Sequence, residues 1–524
     1  MVTTTAPADD TASPATRRLF GWWVAAITAI AAVAVGRGIG TSLWGDETIT
    51  ASTVSRSFTD TVAVLGNADG GFAGYSLFMN RWVALGGTSE FWLRLPSLLA
   101  VLGTIVLAAV LGRWLAGPVA GIVAAVLLAL HLQLTSNYAL EARPYALTVL
   151  AVTAVAALLY RSSSRGFTTR TLVAIGVLVA VAISLHTLSV VAVAAMVLWL
   201  ISATKATTWN RSLAVTASVM VVIDAAVLLV MVSLAARFTD LQMWLTQPTI
   251  GEVFVYSRMV AGVPALGFLL ASVGVFAAAG ARRWTALRVG STDLWTLVLW
   301  AVGPLVVLTV GGWLYKPMLT LRYVLSSAVA WALLAGVAVA VAWELIAGRK
   351  VGRIVFACGL AAIAVVAGSL SPVAKIEDPR GAAEWIAHDY QPGDAIIYSP
   401  SWCEPAVRWY LSESPDSAVL PDGGPVNLAA GEKSARDADS FWTPSRPDLV
   451  GLVKSSGIDG EFERLVAGRA RIWLVSIPAR EDEGWDPIPE VGVPLGRALS
   501  SSWTDARSKD FGAMKVTLYT RPSR

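Results

Sequence analysis

GWWVAAITAIAAVAVGRGIGTSLWGDETIT, residues 21–50, holds the two features that organise the rest of the chain. It opens as an apolar run headed by Trp22 and Trp23, long enough as a helix to cross the roughly 30 Å hydrocarbon core of a bilayer. It closes on two adjacent acids, Asp46 and Glu47, set just past that run. Further apolar blocks follow at about 92–112, 117–134, 139–160, 171–185, 187–203, 212–235, 259–280, 294–314, 323–346 and 352–370. Each is near the ~20 residues that a spanning helix needs, so the pattern predicts a mostly α polytopic membrane protein of about eleven transmembrane helices. Composition agrees: the 524 residues are 55% hydrophobic and only 15% charged, with a mean hydropathy of +0.62. A soluble chain could not hide that much apolar surface.

Loop charges set the expected orientation. With the N-terminus inside, the inner segments hold Arg17, Arg18, Arg113, Arg161, Arg165, Arg170, Lys205 and Arg211, then Arg282, Arg283, Arg288, Arg349, Lys350 and Arg353. The outer loops mix signs, which is the positive-inside asymmetry. An odd number of spans then puts the C-terminal tail outside the plasma membrane. The net charge of +4 therefore reflects topology, and a nucleic-acid role is excluded. Cys358 lies in an apolar block and Cys403 in the tail, so no disulfide and no cysteine metal site is expected.

Three regions follow. Residues 1–19 are Pro/Ala/Thr-rich and read as a disordered cytoplasmic leader; 20–370 form the membrane domain; 371–524 form an extracytoplasmic α/β domain. In the last, GAAEWIAHDY (381–390) patterns as an amphipathic helix, and AIIYS (395–399), RIWLVSI (471–477) and MKVTLYT (514–520) as strands.

Charged residues at membrane depth are costly, and a chain keeps them where something requires them. One face collects several. Asp46 and Glu47 follow the first span, and NADGGFAGYSLFMNRW (67–82) adds Asp69, Tyr75 and Arg81 on an interface-lying stretch. SNYALEARPYAL (136–147) adds Glu141, Arg143 and Tyr145; His186 follows the fifth span; WLYKPMLTLRYV (313–324) adds Lys316, Arg322 and Tyr323. Each has a plainer use as well. Acids stabilise helix starts, Asp69 suits a turn, and Lys316 and Arg322 suit snorkelling anchors. Together, however, they make a usable kit: cations to hold a lipid phosphate at headgroup level, and a carboxylate to deprotonate an acceptor hydroxyl. That kit suffices for direct displacement at a sugar carbon. No nucleotide-binding glycine loop is present.

LWGDETIT (43–50), FWLRLPSLLA (91–100), TSNYALEARPYALTVL (135–150) and LTLRYVLSSAVAWALLAG (319–336), in this order, resemble the GT-C superfamily of membrane glycosyltransferases. The likeness is to the family 39 type, related to protein O-mannosyltransferases and especially to actinobacterial membrane mannosyltransferases. It continues weakly into DPRGAAEWIAHDYQPGDAIIY (378–398). The resemblance implies a GT-C membrane domain, a polyprenyl-phosphate sugar donor and inversion at the anomeric carbon. It implies Asp46 as catalytic base with Glu47 assisting, and a second acid at Asp69. It implies Glu141, Arg143 and Tyr145 as cleft-shaping or donor-contacting residues, and Arg322 and Tyr323 at the donor, with Lys316 as a further phosphate ligand. Tyr75 and His186 would line the same cleft. Relatives of this type carry an Asp-x-x-His-x-x-Tyr-Tyr-like stretch where this chain reads ADGGFAGYS (68–76), with no histidine. Some bind a divalent cation near the acidic loop, and the sequence leaves a metal here open.

The expected activity is transfer of a sugar, mannose first and a pentose second, to an extracytoplasmic glycan, glycolipid or protein. Two alternatives stand beside it. A transporter or flippase of lipid-linked sugars would show two related halves with broken mid-membrane segments, and no such repeat is evident. A non-catalytic scaffold that presents the tail would not depend on Asp46.

Overall fold

The computed structural model describes residues 14–67, 70–237, 245–279, 289–346, 348–368, 377–399, 403–415, 417, 419–428, 466–477, 499 and 503–521. Helix α1 (Pro14–Gly36) starts at a proline, which suits a first helical turn, and takes in residues 14–19 that composition alone assigns to the disordered leader. Three short helices follow, α2 (Gly45–Val54), α3 (Phe58–Asn67) and α4 (Ala73–Gly86). Next come α5 (Glu90–Ala116), α6 (Pro118–Ala129), α7 (Tyr145–Arg165) and α8 (Thr169–Leu185). Then α9 (Ser189–Ala194), α10 (Val197–Ala206), α11 (Arg211–Ala236), α12 (Ile250–Ala261) and α13 (Val263–Ala279). The bundle ends with α14 (Ser291–Leu314), α15 (Ser327–Leu345) and α16 (Lys350–Gly368).

Helices occupy the described parts of the expected spans, but the 187–203 stretch is split into two short helices, α9 and α10, and fewer than eleven unbroken spans result. Among the described residues six helices are long and apolar enough to cross a membrane unbroken, or eight if two bent pairs each make one span. Helices α8 and α10 are shorter apolar ones. The bends are where the sequence boundaries shift. The α6 segment turns by 54° into Gln133–Leu140, and α12 meets α13 at 83°. Gly262 makes the second bend at φ +76°, a conformation that costs glycine nothing. His131 Nε2 lies 2.9 Å from Val260 O and ties the two bends together. Because residues 138–144 form a turn that ends at Pro144, α7 starts at Tyr145, six residues after the span expected from 139.

Helices α5, α6, α7 and α15 make the centre of the bundle, and α11 lies at its edge with only 6% of its apolar window buried. Without a hydrophobic drive between helices in lipid, close packing relies on small residues. A Cβ on Gly121 would stand 2.3 Å from Ala109 O of α5, so the two backbones touch there. Gly121→Val should push α6 off α5 at a cost of about 1–3 kcal/mol. A lower thermal midpoint in nanodiscs, relative to wild type, is the expected result; an unchanged midpoint would mean that α6 can slide.

The tail forms a five-stranded sheet in the order β2-β1-β3-β5-β4, with β1 (Ala395–Ser399), β2 (Val426–Asn427), β3 (Arg471–Ser476), β4 (Thr504–Phe511) and β5 (Met514–Thr520). β1 runs parallel to β2 and β3, and β5 runs antiparallel to β3 and β4. Helix α17 (Pro379–Asp389) covers it, with Trp385 edge-on to Trp473 at 5.4 Å. A short helix, α18 (Glu404–Arg408), then leads to Tyr410. The tail is seated on the membrane domain by polar contacts. Tyr410 Oη accepts from Leu43 N at 2.7 Å and donates to Glu90 at 3.0 Å, and Arg380 pairs with Glu90. Cys358 and Cys403 are both free.

Candidate active site

The loop from α1 turns into α2 at Trp44, and the two acids fall in the first helical turn, where the exposed backbone N–H groups favour negative charge. Consecutive residues on a helix point about 100° apart, so the two carboxylates go separate ways. Glu47 is wholly buried. Its Oε1 accepts from Arg94 Nε at 2.7 Å and from Ala142 N at 2.8 Å; its Oε2 accepts from Arg94 Nη2 at 2.6 Å and from Trp44 N at 3.3 Å. Arg94 also donates to the carbonyls of Ile39, Thr41 and Ser42. This buried pair fixes the entry to α2 and joins it to α5 and to the 141–143 turn.

Asp46, with its side chain 28% exposed, faces the open side. Its Oδ2 lies 2.9 Å from Arg322 Nη1 and 3.8 Å from Arg143 Nη2. Arg143 also reaches Thr50 Oγ1 at 3.3 Å and lies over the Phe72 ring at 5.0 Å. The Arg322 guanidinium sits 5.8 Å from the Tyr145 ring and 5.9 Å from that of Tyr323. His186, at the end of α8, packs between Tyr323 at 4.7 Å, Phe72 at 5.4 Å and Tyr145 at 5.8 Å. A narrow pocket opens beneath Arg322, lined by Tyr145, Thr148, Val149, His186, Ser189, Tyr323, Leu325 and Ser326. Ser189 Oγ is buried there with no hydrogen-bond partner among the described residues. Tyr75 Oη is buried and similarly unpartnered on the α4 side.

The structure thus brings together Asp46, Arg143, Arg322, Tyr323, Tyr145 and His186, from four separated stretches of sequence. Glu141 lies in the same turn, its carbonyl accepting from Ser97 Oγ at 2.6 Å. Lys316, half-buried before Arg322, forms no ion pair with Asp46 and is not part of the cluster. Asp69 lies outside the described residues. Among the described residues no three His, Cys, Asp or Glu side chains group as metal ligands. Asp46 and Glu47 both face guanidinium groups, so the described residues do not fit a divalent cation.

Arg94 and Glu377 are the residues that the sequence reading passes over. Arg94 had a signal: an arginine within an apolar block is kept only where something pairs with it. Glu377 had none, because its place depends on the docking of the tail. It bridges to Gly512 through the backbone and accepts from Gly45 N at 3.4 Å, beside Asp46.

No protein-family model matches the sequence, and no curated protein matches it significantly. The fold does have solved counterparts. The crystal structure of apo ArnT from Cupriavidus metallidurans aligns with a TM-score of 0.54 at 14% identity, over 95% of this chain and 98% of that one. The same protein bound to undecaprenyl phosphate aligns with 0.55 at 16% identity, over the same shares of each chain. The arabinofuranosyltransferase AftD from Mycobacteria aligns with 0.45 at 16% identity, over 96% of this chain and 42% of that one. At these identities the likeness to ArnT is one of fold alone, the polytopic architecture with a C-terminal domain that the resemblance implied.

Proposed function

We propose that the chain is a membrane glycosyltransferase that moves a sugar from a polyprenyl-phosphate donor to an acceptor outside the membrane, with inversion. The observation that carries this reading is Asp46 held against Arg322 and Arg143, with Arg322 also lining a narrow pocket that contains a hydroxyl unpartnered among the described residues. That the similarly folded ArnT binds undecaprenyl phosphate supports the choice of donor. The charge pattern supports an N-terminus inside and a C-terminal domain outside the plasma membrane. The tail then serves acceptor docking.

In the free protein the Asp46 carboxylate is paired with Arg322. A donor phosphate entering from the lipid side takes that place, since a guanidinium pairs with phosphate and carboxylate in the same way. Asp46 is thereby released toward the acceptor. It accepts the hydroxyl proton as the acceptor oxygen attacks the anomeric carbon from the side opposite the phosphate. The bond from that carbon to the phosphate oxygen breaks, and its electron pair leaves with the phosphate, whose charge Arg322 and Arg143 hold. Glu47 braces the turn that carries Asp46. Tyr75, Glu141, Tyr145 and His186 shape the cleft, Tyr323 flanks the donor, Lys316 is a further candidate for the phosphate, and Asp69 is a candidate acid on the acceptor side.

The test is transfer in lipid nanodiscs from labelled polyprenyl-phosphate mannose, arabinose and further donors to a membrane glycolipid extract. Transfer from one donor identifies the sugar; failure with every donor would overturn the reading in favour of a scaffold. Arg322→Lys keeps the charge but loses the paired donors. It should raise the KM for the donor roughly 10- to 100-fold, the equivalent of a charged hydrogen bond, with a smaller change in kcat. An unchanged KM would place the phosphate elsewhere.

A further inference from the structure

We infer that Glu377, supplied by the C-terminal domain, completes the site as a positioning acid for Asp46. This rests on the glycosyltransferase reading for its consequence, though not for its geometry. Glu377 lies at the entry of the tail, 8% exposed, and its Oε2 accepts from Gly45 N, the first residue of α2 and the neighbour of Asp46 in sequence. The tail therefore caps the helix that carries the proposed base, and a second carboxylate stands behind the first.

Among the described residues no cation pairs with it. Facing Glu377 are Asp46 from α2 and the buried Cys403 thiol at the start of α18, whose ionisation is itself opposed by burial and by Glu377. The described cations of the surrounding elements are engaged elsewhere: Arg380 of α17 with Glu90, Arg408 of α18 with Glu404 and Glu413, and Arg322 with Asp46. Asp378 is turned to Gly381 N as the cap of α17. Burial, with the nearby Asp46 charge, pushes the Glu377 carboxyl up to about 7, against the single Gly45 hydrogen bond that favours its ionised form.

The consequence follows from like charges sharing one helix end. Ionised Glu377 drives Asp46 toward taking the acceptor proton, whereas protonated Glu377 leaves Asp46 more firmly held by Arg322 and Arg143. Activity then rises as pH passes through 7, and the tail is part of the catalytic unit rather than an appendage.

The experiment compares wild type with Glu377→Gln and Glu377→Asp in nanodiscs, using the donor that wild type accepts. Wild-type kcat should rise between pH 6 and 8. Glu377→Gln should be flat over that range, and about three- to tenfold below wild type at pH 8, within the reach of one unit of basicity. Glu377→Asp should restore the rise. Donor KM should change little, because Glu377 does not touch the phosphate clamp. A Glu377→Gln enzyme with the wild-type pH profile would overturn the inference; a loss of kcat equal at every pH would reduce Glu377 to a structural contact and overturn it as well. A second readout needs no turnover. The pH-difference infrared spectrum should show a carboxyl band titrating near 7 that Glu377→Gln removes and Asp46→Asn moves to lower pH. If wild type transfers no sugar from any donor, the glycosyltransferase reading fails. The infrared pair still decides whether the two acids are coupled, and an Asp46→Asn spectrum identical to wild type would sink that coupling.

Discussion

Asp46→Asn should cut sugar transfer by about 10²- to 10⁴-fold, the range lost when a general base is removed. Asparagine matches the carboxylate in shape, so the loop, the helix start and the pocket stay as they are. What it cannot do is accept the acceptor's proton. It also cannot neutralise Arg322 and Arg143 as the carboxylate does, which leaves more positive charge facing the cleft. Binding of undecaprenyl phosphate, used as the probe, should therefore hold or tighten while kcat collapses. That split is diagnostic. A fall in binding together with kcat would make Asp46 an organiser of the arginines. A rate within a few-fold of wild type would remove it as the base and turn attention to Asp69.

Arg94→Met should be the most destabilising single change near the site. It strips the partner from a fully buried Glu47 and frees the carbonyls of Ile39, Thr41 and Ser42. Breaking a buried pair from one side costs about 3–5 kcal/mol, because the remaining charge has nowhere to go. The expected result is a large drop in thermal midpoint and in folded yield, with activity lost in proportion to folded protein. The double change Arg94→Met with Glu47→Gln should recover part of the loss, since neither charge is then stranded. The single change Glu47→Gln separates two roles for Glu47. A Glu47→Gln protein as stable as wild type but slow in transfer would make Glu47 an assistant in the chemistry. A protein destabilised by the change would make it a brace.

Much of this molecule was legible in its hydropathy. The blocks that begin at 92, 212, 294 and 323 became α5, α11, α14 and α15 within a few residues. Strands at AIIYS, RIWLVS and MKVTLYT fell where short runs rich in β-branched and aromatic residues placed them. A spanning helix of that strength is set by its own residues, since a lipid-facing backbone must satisfy its hydrogen bonds within the segment. The bends after Leu130 and at Gly262 were not legible, because apolar composition continues through them while the backbone does not.

The sequence by itself determined that the chain spans a membrane many times, and that acids and arginines gather in the loops at one end of the bundle. It could not say which of two adjacent acids would meet which arginine. Asp46 and Glu47 differ by one step on a helix, and only packing decided that one turns inward to Arg94 while the other turns to Arg322. It could not exclude Lys316 from the cluster, six residues before an arginine that belongs to it. Nor could it bring Glu377 to the neighbour of Asp46, more than three hundred residues earlier in the chain. Local pattern fixes which faces are apolar. Which polar side chains face one another is a property of how the helices and the tail are packed, and only the tertiary structure holds it.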